Sequence, residues 1–208
     1  MEINATLVKE LRDKSGAPMM DCKTALVEAK GDLDAAHKIL RQKGQATAQK
    51  RSAKTTSEGA VGAYIHAGGR IGVLVELNCE TDFVARTADF QSLVKDLAMH
   101  IAASEPRFVD RDEVTEGVLA EEREIYRQQA KATGKPDAVV EKIVTGKMEK
   151  FYQEFCLMEQ PFVRDPNLSI KEVVHSAIAK TGENIRVKRF ARFVLGQDEA
   201  GRTISTSR

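Results

Sequence analysis

No tryptophan occurs among the 208 residues, and cysteine occurs only three times. Cys22, Cys79 and Cys156 are far apart, odd in number and form no CxxC pair. That excludes a disulfide framework and a cysteine-built zinc site, and it implies reduced thiols. No apolar run approaches the roughly 20 residues needed to cross a bilayer. The opening MEINATLVKELRDK lacks a basic segment followed by an apolar one, so no signal peptide is expected and a cytoplasmic location is. A net charge is lacking as well: 32 Lys and Arg against 31 Asp and Glu leave +1. No global field therefore directs the chain to nucleic acid or to a membrane surface. What is present is 42% apolar and 30% charged residues, enough for a packed core. The length suits one medium domain plus a small one, or two small ones.

Catalytic signatures are missing too. None of His37, His66, His100 and His175 sits at metal-ligand spacing with another His or Cys, and HExxH is absent. A lone helical His such as His100 or His175 is ordinarily structural or at the surface. There is no GxSxG elbow. AGGRIG (67–72) joins two expected strands and opens no helix, unlike a dinucleotide-binding loop. TGKMEK (145–150) fails as a phosphate loop, because Glu141 stands at the required first Gly and Met148 replaces Ser/Thr. Glu76, Glu80 and Asp82 form a short acidic cluster. Spacing leaves it open as an acid/base pair, magnesium ligands, or solvated carboxylates at a strand end. An enzyme is the weaker class for this chain, and no metal or cofactor is expected.

Periodicity predicts an α+β fold. Residues 1–40 read as three short helices, with stripes at Leu7, Val8 and Leu11, then Met20, Ala25 and Leu26, then Leu33, Ala36, Ile39 and Leu40. Asn4 and Asp32 are the expected caps, and Gly16 and Gly31 the breaks. Residues 41–57 carry basic charge without acid and read as a linker, whose Ala, Gln and Lys content also permits a solvated helix. Contact with RNA through Arg41 to Lys54 is an alternative, but no aromatics interleave for base stacking. Residues 58–196 form the expected core. VGAYIH and IGVLVEL make a hairpin about Gly68-Gly69. A helix follows on Phe90, Leu93, Val94, Leu97 and Ile101. A helical hairpin spans about 114–158, broken at GKP (134–136). QPFVRDP (160–166) reads as a loop. Ser169 starts a helix to Lys180, and 185–195 is a strand with Ile185, Val187, Ala191, Phe193 and Leu195 on one face and Phe190 and Val194 on the other, so partial cover is expected on both. The tail 197–208 is polar and expected to be disordered.

Two positions point to surface chemistry. Met19 and Met20 are adjacent on a helix and cannot both face inward; an exposed Met is an adaptable apolar contact, although composition alone slightly favours simple helix packing. Phe83 lies in NCETDFVAR (78–86), where a strand ends and a helix begins. There it either plugs the local core or projects as a wedge.

GAPMMDCKTAL (16–26) together with NCETDFVAR closely resembles the translation elongation factor Ts family. AMHIAASEPRFV (98–109), EQPFVRDP (159–166) and KTGENIRVKRF (180–190) match in the family's order, so the resemblance covers nearly the whole chain. It implies a ubiquitin-associated-like helical N-terminal domain that docks on elongation factor Tu, followed by an α+β core built on an antiparallel sheet. The implied activity is guanine nucleotide exchange, without a nucleotide site on this chain. Thr81, Asp82, Phe83 and Val84 match the stretch that disturbs the partner's Mg²⁺ site. Arg12, Met19, Met20, Asp21 and Lys23 match docking positions, and His66, Val163, Thr181 and Gly182 match further contact positions. No direct nucleic-acid contact and no membrane contact are implied.

The chain departs from long members of the family, which carry two similar halves in the core. Here YIHAGGRIGVLVELNCETDFVAR merges the features of both into one hairpin. The resemblance to short members implies a homodimer, formed through the last strand and without an interchain disulfide, since 185–195 holds no cysteine. A competing reading is an adaptor whose helical unit only tethers a scaffolding core.

Overall fold

A computed structural model of the chain describes residues 3–197. The helices are α1 (Ala5–Ser15), α2 (Met19–Glu28), α3 (Leu33–Arg51), α4 (Asp82–Ala85), α5 (Ala88–Ser104), α6 (Glu116–Lys131), α7 (Asp137–Phe155) and α8 (Ile170–Thr181). The strands are β1 (Glu58–Ile65), β2 (Ile71–Cys79), β3 (Pro161–Phe162), β4 (Asp165–Ser169) and β5 (Ile185–Val194). The fold is α+β, as the periodicity indicates. The expected tail, Gln197 apart, lies outside the described residues.

A three-stranded sheet has the order β1-β2-β5, so β1 and β5 are its edges. At the β1–β2 turn, His66 N donates to Ile71 O at 2.9 Å. Arg189 reaches Glu76 at 2.7 Å and Leu195 N donates to Arg70 O at 2.8 Å, so numbers fall along β2 as they rise along β5. That is antiparallel pairing. On β5, Ile185 and Val187 are buried while Phe193 and Leu195, on the same face, are exposed; Phe190 and Val194, on the other face, are half-buried. Alternation fixes which side a residue faces, whereas burial requires something to cover that side.

The chain divides into two compact units. One is the chain up to Tyr64 with Leu74–Ala98 and Lys171–Ala191; the other is Ile65–Val73, Met99–Ile170 and the chain from Arg192. In the first unit, α1 to α3 enclose a core of Val8, Leu11, Cys22, Ala25, Leu26, Ala36 and Leu40. Asn4 Oδ1 accepts from Thr6 N at 3.0 Å, and Asp32 Oδ1 accepts from Asp34 N and Ala35 N at 2.9 Å, which satisfies otherwise unpaired helix-start amides. Gly16 closes α1 in the left-handed conformation, φ 66°, and donates to Arg12 O at 2.8 Å.

Met20 corrects the sequence reading, since it is 68% exposed. Cys22, Ala25 and Leu26 are the inward positions of α2, and Met20 lies about 200° round the helix from Cys22, at about 100° per residue. Helix α3 also runs past residue 40 to Arg51, so much of the segment read as a linker is helical. Gly44 and Ala48 are buried in it, as a solvated linker would not require. A Cβ on Gly44 would sit 3.7 Å from His175 O and 3.8 Å from Ala179 Cβ, so small residues let α3 lie close to α8.

In the second unit, α6 and α7 form the expected helical hairpin around Val114, Ala130, Val140, Val144, Met148, Phe151 and Cys156. Arg111 stacks over Tyr152, 4.2 Å from the ring centroid, and binds Glu149 at 2.7 Å and Glu159 at 2.6 Å. The segment read as the loop QPFVRDP is instead part of a β3–β4 hairpin, with Pro161 opposite Ser169 and Phe162 opposite Asp165. Fully buried His100 secures it: Nδ1 accepts from Val163 N at 3.3 Å, which places the ring proton on Nε2, 2.9 Å from Gln160 Oε1. Burial lowers its pKa, favouring the neutral ring. His100 is structural, as expected.

Two measurements test this packing. A Cβ on Gly62 would lie 2.1 Å from Val94 Cγ1, a stiff β-branched side chain on α5. Gly62→Ala is expected to destabilise the protein by about 1–3 kcal/mol in urea unfolding. Cys79 and Cys156 are buried, and burial pushes both thiols up to about 11. Iodoacetamide at pH 8 is expected to leave both unmodified in the native chain and to alkylate both in denaturant. The stability that the neutral thiols contribute is complete below the ordinary thiol pKa of about 8.5 and is lost as pH rises towards about 11.

Candidate functional site: the Thr81–Val84 turn

Strand β2 ends at Cys79 and the next regular element is the single turn α4. Thr81 caps it from an extended conformation, φ −129° and ψ 154°, with its hydroxyl accepting from Val84 N at 3.4 Å. Side chains on a helix diverge by about 100° per residue. When Val84 and Ala85 turn inward, Phe83 must therefore face out, while Asp82, about 60° round from Ala85, lies exposed at the edge of the turn. Val84 and Ala85 are buried and Phe83 is 77% exposed, so Phe83 is not a core plug. Asp82 pairs with Arg86 across the turn at 2.8 Å, with both side chains largely in solvent. Such a pair adds little stability, on the order of 0.3–0.5 kcal/mol.

The turn is held from outside its own sequence. Thr81 N donates to Glu183 Oε2 at 3.0 Å and Thr81 Oγ1 donates to Glu183 Oε1 at 2.7 Å. Asn184 N donates to Glu80 Oε1 at 2.7 Å, and Arg51 lies 3.5 Å from Glu80 Oε2. Cys79 Sγ donates to Thr81 O at 3.1 Å. Gly182, at φ 74°, ends α8 and donates to Ile178 O at 2.9 Å; its left-handed backbone turns the chain so that Glu183 faces Thr81. Thr87 joins α4 to α5, its hydroxyl donating to Val84 O at 2.7 Å and accepting from Phe90 N at 3.3 Å.

The acidic cluster at 76–82 resolves into three carboxylates with separate partners. Glu76 pairs with Arg189, whose hydrogen bond holds the carboxyl below its usual range. Glu80 meets Asn184 and Arg51, and Asp82 meets Arg86. Among the described residues no group of three or more His, Cys, Asp or Glu is placed to hold a metal.

The remaining sequence candidates fall in two places. Arg12, Met19, Met20, Asp21 and Lys23 are exposed on α1 and α2, in the first unit. Thr181 and Gly182, in the same unit, are half-buried at the end of α8; a Cβ on Gly16 would lie 4.0 Å from Lys180 Nζ, which brings the α1–α2 turn beside that end. His66 and Val163 belong to the second unit, His66 exposed at the β1–β2 turn and Val163 exposed at the β3–β4 turn. Sequence reasoning missed Glu183, Asn184 and Arg51 at the site. KTGEN was the available signal, but its partner lies about a hundred residues away and no short-range spacing marks it.

Comparison with known proteins shows the family of the chain. The model of the family described as "Elongation factor TS" matches residues 6–197. Elongation factor Ts of Koribacter versatilis is 57% identical over 208 residues, covering 100% of this chain and 94% of that protein. Elongation factor Ts of Anaeromyxobacter sp. (strain Fw109-5) is 59% identical over 196 residues, 94% of this chain and 90% of that protein. That of Fervidobacterium nodosum is 56% identical over 197 residues, 95% and 100% respectively. No helix among the described residues is long and apolar enough to cross a membrane. On this similarity the chain belongs to the elongation factor Ts family, whose members are nucleotide exchange factors of translation.

Proposed function

We propose that the chain promotes GDP release from elongation factor Tu during protein synthesis in the cytoplasm, with no catalytic or nucleotide site of its own. Arg12, Met19, Met20, Asp21 and Lys23 dock on the partner's GTP-binding domain, with His66, Val163, Thr181 and Gly182 as further contacts. Thr81 to Val84 act on the partner's Mg²⁺ and phosphate contacts, with Asp82 and Phe83 entering between two of its helices. The observation that carries this reading is a 77% exposed Phe83 on a turn whose next two residues are buried. An aromatic ring held in water by its own backbone is suited to burial in a partner.

Magnitudes divide the work. A ~10⁴-fold faster release needs about 5.5 kcal/mol of differential interaction with the nucleotide-free partner. Burying one Phe contributes roughly 1.5–3 kcal/mol. Asp82 and the docking residues supply the remainder. A homodimer through β5 completes the proposal: β5 is an edge strand, and Phe193 (63% exposed) and Leu195 (64%) lie towards its open end.

Phe83→Ala is expected to lower GDP release from elongation factor Tu roughly ten- to a hundredfold. Its urea unfolding midpoint should match the wild type, because the ring is already in solvent. An unchanged release rate would overturn the wedge role. Sedimentation equilibrium at micromolar concentration is expected to return twice the chain mass; the monomer mass would refute the dimer.

A further inference from the structure

The segments Glu80-Thr81 and Glu183-Asn184 exchange hydrogen bonds in both directions. Glu183 takes both the amide and the hydroxyl of Thr81, at 3.0 and 2.7 Å. Glu80 in turn takes the amide of Asn184 at 2.7 Å. Neither bond is local, since each joins residues more than a hundred positions apart. We propose that Glu80 and Glu183 are positioning residues, forming a reciprocal carboxylate clamp that presets Asp82 and Phe83 for entry into the partner. This rests on the exchange reading above and assigns roles to residues which that reading leaves unused.

The bonding explains the direction of the effect. Glu183 needs both its oxygens as acceptors, one for the N–H and one for the O–H of Thr81. The hydroxyl's proton goes to Glu183, so its lone pair stays aimed at Val84 N, 3.4 Å away, and the cap of α4 is kept. Bonds to a charged acceptor are about twice as strong as neutral ones. On the other side, Asn184 is buried and its Nδ2 donates to Lys54 O at 2.9 Å, while Arg51 faces Glu80. The clamp therefore also holds the chain at the end of α3, the helix that contributes Ala36 and Leu40 to the docking helices' core. The turn and the docking helices are fixed to one frame. Glu183 is close enough to Cys79 to raise its thiol pKa, second only to burial, which supplies a reporter of the clamp independent of activity.

The test follows labelled GDP release from elongation factor Tu at rising concentrations of the full chain. The variants are Glu183→Gln, Glu80→Gln, Thr81→Val and Thr81→Ser. Gln offers one acceptor in place of two; Val keeps the shape of Thr without its hydroxyl, and Ser keeps the hydroxyl. Glu183→Gln and Thr81→Val are expected to lower the maximal release rate about tenfold or more, with the half-saturating concentration changed less than about threefold. Thr81→Ser, which restores the hydroxyl, should recover most of the rate that Thr81→Val loses, and Glu80→Gln should fall between wild type and Glu183→Gln. Alkylation of Cys79 should begin at lower pH in Glu183→Gln. Maximal rates within about twofold of wild type for both Glu183→Gln and Thr81→Val, with Phe83→Ala impaired, would overturn the clamp and leave the exchange reading standing. A loss confined to the half-saturating concentration would also overturn it, since that is a docking defect. A wild-type chain that fails to speed release would overturn the exchange reading itself, whatever the variants do. Should Glu183→Gln fail to fold, the Thr81→Val and Thr81→Ser pair decides the matter.

Discussion

Val84 and Ala85 can be buried on a single helical turn only if Phe83 faces the other way, because successive side chains diverge by about 100°. That geometric constraint keeps a large apolar ring in water. Leaving a Phe exposed forgoes roughly 1.5–3 kcal/mol of burial. A four-residue helix has no propensity of its own to resist collapse, since helix nucleation is unfavourable. The turn is instead held by groups around it: the Thr81 cap, the Thr87 link into α5, and the two carboxylates that bind across to the end of α8.

The same economy shapes the supports. Helix α3 starts at the Asp32 cap, lines the core it shares with α1 and α2 with Ala36 and Leu40, and passes α8 where Gly44 has no side chain to hold them apart. It ends near the residues that meet Glu80 and Asn184. A continuous helix is stiffer than a linker, so the exposed methionines on α2 and the ring of Phe83 are presented together by one unit. Met19 and Met20 suit that presentation: unbranched and polarizable, they adapt to an irregular surface at little cost.

Much of this was legible in the chain before any coordinates. Asn4, Asp32 and Gly16 announced helix ends because capping is local chemistry, and all three act as read. The stripe Phe90, Leu93, Val94, Leu97 and Ile101 is buried throughout, since a long 3.6-residue repeat has few competing explanations. Where the reading failed, burial depended on something distant. Met20 belongs to an apolar pattern but faces solvent; Gly44 and Ala48 look like linker residues but are buried. The β3–β4 hairpin went unseen because two short strands around Val163-Arg164 carry too few residues for a period to show.

The candidate site divides along the same line. By itself the sequence determined where Phe83 sits, at the junction of a strand and a short helix, because alternation ends and a cap begins within NCETDFVAR. It also contained the family motifs by which that stretch is known. It could not decide whether the ring pointed in or out, since a Phe at such a boundary is compatible with both. Only the tertiary structure decided that, by burying Val84 and Ala85 and by bringing Glu183 and Asn184 to Thr81 and Glu80. The reason is physical: a hydrogen bond between residues a hundred positions apart leaves no mark on the spacing of either segment, yet it sets which way the turn between them faces.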